Sequence, residues 1–167
     1  IASLTVAALI AARSTGRPVG LLSSVLGRLR WRWLAECAAI FFLSMVVWFG
    51  ASTLIELVAP TPATPGARED VWPGAATFVP HLTLILLVVP LQATGEEYAV
   101  RGILLQAIGA WARPAWVSIT ITSVVFAAAH LPGSAVETMD HFAFGIVAAW
   151  LTIRTAGLEA AIALHVV

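Results

Sequence analysis

Apolar residues fall in long blocks along this chain, with polar residues gathered into short breaks between them. The first block, residues 1–12, is expected to be a partial helix. A longer one runs from about Trp33 to Val58. Residues 59–79 break the pattern with Pro60, Pro62, Pro65, Gly66, Pro73 and Gly74, and predict a connection. A helix is then expected from near Pro80 to about Trp111, bent at Gly102 and Gly109 and ended by the turn at Arg113-Pro114. Another span is predicted from Ala115 to about Leu131, where Pro132, Gly133 and Ser134 stop it. A further one runs from about Met139 to Ile153, and a last helix starts near Leu158. No alternating strand pattern persists. The periodicity predicts an all-α protein, a polytopic transmembrane helical bundle.

Composition sharpens this. The chain has 167 residues, 60% hydrophobic and 11% charged, against about 25% charged in a soluble domain. Formal net charge is zero, so nothing draws the chain toward nucleic acid. All nine basic residues are arginine, a usage that suits a bacterial gene of high GC content. The single cysteine, Cys37, reads as a small residue in an apolar face. The chain opens without Met and closes at Val167, each time inside an apolar run. Both ends are therefore expected to be cut helices. Twelve residues rise only about 18 Å, so the first block is read as a truncated helix and not a signal peptide.

Charge asymmetry suggests an orientation. Residues 13–32 carry Arg13, Arg17, Arg28, Arg30 and Arg32, with Leu21, Leu22, Val25, Leu26 and Leu29 at helical spacing. They read as an interfacial amphipathic segment on the cytoplasmic side. The connection at 59–79 holds one arginine, Arg68, and belongs outside. The chain divides into residues 1–79, N-terminal membrane helices with these two loops, and residues 80–167, a core cut at its C-terminus. The expected location is a cell membrane, the bacterial inner or plasma membrane, crossed several times.

Polar groups at membrane depth are the main functional signal. Glu96, Glu97 and Arg101 lie within six residues of an apolar stretch. Each such charge costs at least ~2.5–3.5 kcal/mol on insertion scales. On a helix Glu97 and Arg101 share a face and can pair. Glu96 lies about 100° round, which leaves it available as a base. The alternative is a packing network of all three. From the turn at Arg113, Glu97 lies sixteen residues back and His130 seventeen forward. At ~1.5 Å per residue both are about 25 Å from it, so the two meet at similar depth on an antiparallel pair. Phe126 shares a face with His130. His165, from the last helix, is a third candidate. Acids and two histidines from three helices can hold a metal or activate a water. His81 and His141 read as interfacial, and Tyr98 either bonds in the site or packs.

These residues resemble the CPBP (CAAX-protease and bacteriocin-processing, or Abi) family of intramembrane proteases, which includes the type II CAAX prenyl endopeptidases. Its EExxxR motif is matched by Glu96-Glu97-Tyr98-Ala99-Val100-Arg101. FxxxH is matched by Phe126-Ala127-Ala128-Ala129-His130, and the histidine of HxxxN by His165 in context. An Asn is expected two positions after Val167. The resemblance covers roughly residues 80–167. It implies hydrolysis of a peptide bond in a membrane-associated protein or peptide, including prenylated CAAX proteins, in a site open to the cytoplasm. It implies that Glu96 and His130 activate water, that His165 stabilises the oxyanion, and that Glu97, Arg101 and Phe126 support them. Both a divalent metal such as Zn²⁺, held by Glu96, His130 and His165, and a metal-free, glutamate-activated water are compatible with these residues. Two other function classes compete: a non-catalytic scaffold or bacteriocin-immunity protein of the same fold, and a proton-relay transporter. Convergence of Glu96, His130 and His165 on one point favours the protease. A transporter needs a polar path across the whole membrane.

Overall fold

The computed structural model describes residues 18–60 and 72–167. Within them the chain is helical, as the apolar blocks predict. Five helices are named here in chain order: α1, Trp31–Val58; α2, Ala75–Trp111; α3, Ala115–Ala129; α4, Ala135–Thr155; and α5, Glu159–Val166. Helices α1 and α2 are long and apolar enough to cross a membrane. Their most apolar stretches are not buried inside the protein, as those of a soluble core helix are. In the absence of protein partners, these faces suit lipid.

Most boundaries follow local chemistry. Helix α2 starts at Ala75, earlier than the Pro80 expected, because residues 72–74 already leave the connection and Gly74 caps it with φ +83°. Ser134 caps α4, its hydroxyl accepting from the Glu137 amide. That places the start of α4 at Ala135, and not near Met139. Helix α2 contains a π-helical stretch, Tyr98–Leu104, which includes the expected bend residue Gly102. Such segments are rare and concentrate at functional sites. This one carries Arg101.

Helices α3 and α4 form an antiparallel pair in close contact. A Cβ added at Gly145 would lie 2.8 Å from Ser123 Cα, so only glycine permits this approach. Helix α5 packs against α1, α2 and α4. Cys37 is buried there beside Ala160 and Ala163, as a small residue on an apolar face should be.

The segment before α1 departs from expectation. Residues 21–29 do not form an amphipathic helix. A short 3-10 turn, Val19–Leu22, is followed by irregular chain that tucks into the bundle. Leu22, Ser23 and Ser24 are buried. Ser24 bridges to Gly157, the Leu158 amide donates to the Ser23 carbonyl, and the Val25 amide donates to that of Ala156. Arg30 locks the end with a 2.7 Å ion pair to fully buried Glu159 and a hydrogen bond to the Thr155 carbonyl. The bond to Glu159 is the main reason the Arg30 guanidinium titrates above its ordinary range. Tertiary hydrogen bonds have overridden the helical spacing of the leucines. Arg13, Arg17 and the first apolar block lie outside the described residues.

Arg28, Arg30, Arg32, Arg113 and Arg154 consequently gather at one end of the bundle, because the tucked segment and the α2–α3 and α4–α5 turns lie together. Glu56, Glu137 and Asp140 sit toward the other.

Candidate active site

The site is built where α2, α3 and α5 converge. Glu97 and Arg101 are fully buried, and Arg101 Nη1 donates to Glu97 Oε1 at 2.9 Å. This is the i, i+4 pair the spacing allows. Arg101 also donates to the Gly145 carbonyl at 3.3 Å and lies 4.5 Å above the Phe126 ring. The aromatic face adds a cation–π attraction in a dry setting. Glu97 Oε2 and Arg101 Nε lack hydrogen-bond partners among the described residues.

Glu97 does a second job. His165 Nδ1 donates to the same Oε1 at 2.8 Å. Glu97 therefore orients His165 as well as neutralising Arg101.

Glu96 faces the other way. Its Oε2 lies 3.6 Å from His130 Nε2 and 3.8 Å from His165 Nε2. Its Oε1 accepts from Gln92 Nε2 at 3.1 Å. Hydrogen-bond logic fixes the ring tautomers. His130 Nδ1 is 2.8 Å from the Phe126 carbonyl, which can only accept. His165 Nδ1 meets an arginine-paired carboxylate. Both Nδ1 atoms thus carry hydrogen, and in neutral rings both Nε2 atoms present lone pairs. Two imidazole acceptors thus face the carboxylate acceptor Glu96 Oε2, at 3.6 and 3.8 Å. Such a group favours a bridging donor or a positive charge. The side chains of Glu96, His130 and His165 are 14, 27 and 19% exposed, so this point is partly open while Glu97 and Arg101 are fully buried.

The donor types would suit zinc, but ligand atoms about 2.1 Å from a tetrahedral zinc lie roughly 3.4 Å apart. The observed separations are wider. Among the described residues no group of three or more His, Cys, Asp or Glu side chains is closed enough to hold a metal ion.

The structure thus brings Glu96, Glu97, Arg101, Phe126, His130 and His165 together. It also adds residues that the sequence left out. His141, read as interfacial, has its ring 4.6 Å from that of His130, with Nδ1 held by the Glu137 carbonyl. Its hydrogen bond to the Glu137 carbonyl is exposed, so His141 stays near the surface while its ring packs beside that of His130; α4 starts four residues earlier than the pattern suggested, which places it there. Phe144 stacks 5.2 Å from Phe126 and lies 4.8 Å from His165. Gln92 carried a legible signal, since it precedes Glu96 by one i, i+4 step. Tyr98 turns from the site, its hydroxyl 2.6 Å from Ser23 Oγ. His81 stays outside, bonded to the Thr77 carbonyl. Just after His130, Leu131 has φ +46°. A branched side chain in that region before a proline is strained.

Comparison with known proteins gives a consistent result. A family profile described as type II CAAX prenyl endopeptidase Rce1-like matches residues 77–167. The chain is also similar to the uncharacterized protein YyaK of Bacillus subtilis (strain 168), with 26% identity over 155 residues. That alignment covers 89% of this chain and 49% of the relative, so the chain spans about half the relative's length. No solved structure matches.

Proposed function

The chain belongs to the Rce1-like family of type II CAAX prenyl endopeptidases, and on that premise we propose that it is an intramembrane endopeptidase acting through a Glu/His-activated water. The family is one of membrane proteases. The observation that carries the reading is the meeting of Glu96 Oε2 with the Nε2 atoms of His130 and His165 at 3.6 and 3.8 Å.

A water between Glu96 and His130 donates its hydrogens to two of these acceptors. Glu96 takes one proton as the oxygen attacks the scissile carbonyl, then returns it to the departing amine. His165, with Nδ1 on the Glu97 carboxylate, can carry a proton on Nε2 and donate it as a hydrogen bond to the oxyanion. Gln92 holds Glu96 Oε1 and thereby aims Oε2. Arg101 bonds Glu97 and, packed on Phe126, holds it in place. The substrate is a membrane-associated protein or peptide, including the prenylated CAAX type. If a divalent ion takes part, Glu96, His130 and His165 are its ligands.

The test is hydrolysis of a prenylated CAAX peptide by the protein in lipid nanodiscs. Glu96→Gln should cut turnover about 100- to 10,000-fold, with unchanged thermal unfolding. Full turnover by that folded variant would defeat the assignment. A wild-type protein that binds such peptides without cleaving them would point to the non-catalytic scaffold.

A further inference from the structure

A cavity of about 540 Å³ lies at the arginine end of the bundle, apart from Glu96 and the histidines. The tucked segment roofs it, and the turns at residues 112–114 and 156–158 help close it. Its size is within the roughly 300–1,000 Å³ of ligand pockets. Leu22, Leu105, Ile153 and Leu158 make its walls apolar. The polar groups between them are already spent: Ser118 bonds the Ala115 carbonyl, Thr152 that of Ala148, and Gln106 that of Leu21. Arg113 is different. It lines the cavity, is exposed, and has no hydrogen bond or ion pair among the described residues.

Two neighbours give the depth of this mouth. Trp111 and Trp116 flank Arg113 with 84 and 68% of their surfaces exposed. Exposed tryptophans beside an arginine mark the headgroup layer of a bilayer. The gathered arginines assign this end to the cytoplasmic leaflet, whose anionic lipids attract basic groups. An apolar cavity with, among the described residues, an unpaired cation at its rim, opening at headgroup level, is complementary to an acyl chain carrying an anionic head.

We propose that this cavity is a binding site for an anionic phospholipid, with an acyl chain among Leu22, Leu105 and Leu158 and the headgroup phosphate on Arg113. The site is independent of the peptidase reading. Because the roof is the segment that joins Ser23 to Tyr98, next to Glu97, an occupant would brace the wall behind the catalytic acids.

The probe is phosphatidylglycerol with a photoactivatable acyl chain, compared with the same phosphatidylcholine, in nanodiscs holding the protein. Crosslinks are mapped by mass spectrometry. Labelling of cavity-lining residues should be several-fold stronger with phosphatidylglycerol. Arg113→Gln should lower it to the phosphatidylcholine level. Ala112→Phe, which narrows the mouth, should reduce labelling by both lipids. Thermal unfolding of each variant should match the wild type, and Arg113→Gln, altering an exposed side chain, keeps the test open if Ala112→Phe misfolds. Equal labelling by the two lipids, labelling unchanged in Arg113→Gln, or crosslinks confined to the outer faces of α1 and α2 would overturn the proposal. Retention of oleate with no labelling by phosphatidylglycerol would overturn it too, by showing a free fatty acid as the occupant.

Discussion

Glu97 Oε1 lies 2.8 Å from His165 Nδ1 while also accepting from Arg101 at 2.9 Å. One carboxylate oxygen thus joins a buried cation to a half-buried imidazole, with Glu97 and His165 68 residues apart in sequence. The adjacent Glu96, one residue earlier, turns its Oε2 toward the Nε2 atoms of His130 and His165 instead. The different partners of the two acids follow from the 100° step of the helix and from what packs on each side of it.

The first prediction concerns this orienting bond. Glu97→Gln keeps the shape but loses the charge that fixes the His165 tautomer. Removing an outer partner of a working histidine commonly costs about 10- to 100-fold. Turnover of the CAAX peptide should fall by that amount with KM little changed. Wild-type turnover in this variant would show that His165 needs no orienter.

Arg101→Ala should act on folding as well. Removing one partner of a buried pair leaves an uncompensated charge, at a cost of about 3–5 kcal/mol. Thermal unfolding in detergent should drop clearly, and activity with it. An unshifted Tm would mean that Glu97 is satisfied without Arg101.

His141 tests the added aromatic wall. Its ring touches that of His130 at 4.6 Å, and Phe126 lies 4.3 Å from His130 on another side. His141→Ala should lower kcat more than it changes KM, because His130 loses one support. His141→Phe should restore most of the loss, since a ring is what the contact requires. Equal loss in both variants would assign chemistry to the imidazole itself.

Gly145→Val would push a side chain into the Ser123 backbone, where even a Cβ lies at 2.8 Å. Overpacking typically costs about 1–3 kcal/mol, and the Gly145 carbonyl would move from Arg101. Lower Tm and lower activity should appear together. Retention of both would show that α3 and α4 can separate freely.

Metal use is decided by chelation. With the donors spaced as they are, turnover should survive treatment with a strong zinc chelator. Loss that is reversed by added zinc would move the water onto a metal held by Glu96, His130 and His165.

Orientation has its own measurement. In a Cys37→Ala background, single cysteines at Arg28 and Asp140 should react with an impermeant maleimide from opposite sides of the membrane. Labelling of both from one side would overturn the topology.

The sequence by itself determined the helices, since apolar blocks with few charges and proline- or glycine-marked breaks leave little else to form. It also determined the Glu97–Arg101 pair, because both residues sit on one helix and i, i+4 geometry is local. Near-equal counts from the Arg113 turn, sixteen back to Glu97 and seventeen forward to His130, were enough to expect the acids and His130 at similar depth. Tertiary structure alone decided the rest. The leucines of residues 21–29 have helical spacing, yet Ser23, Ser24 and Arg30 find partners on residues 155–159 and pull the segment into the bundle. The packing of the His141 ring beside His130 followed only once the Ser134 cap had set the start of α4. The double use of Glu97 Oε1 could not be read along the chain, because a bond between residues 97 and 165 depends on how α5 lies against α2. Helix periodicity reports which side of a helix is apolar; which helix lies against that side is fixed by close packing at positions such as Gly145, where a single missing Cβ sets the distance.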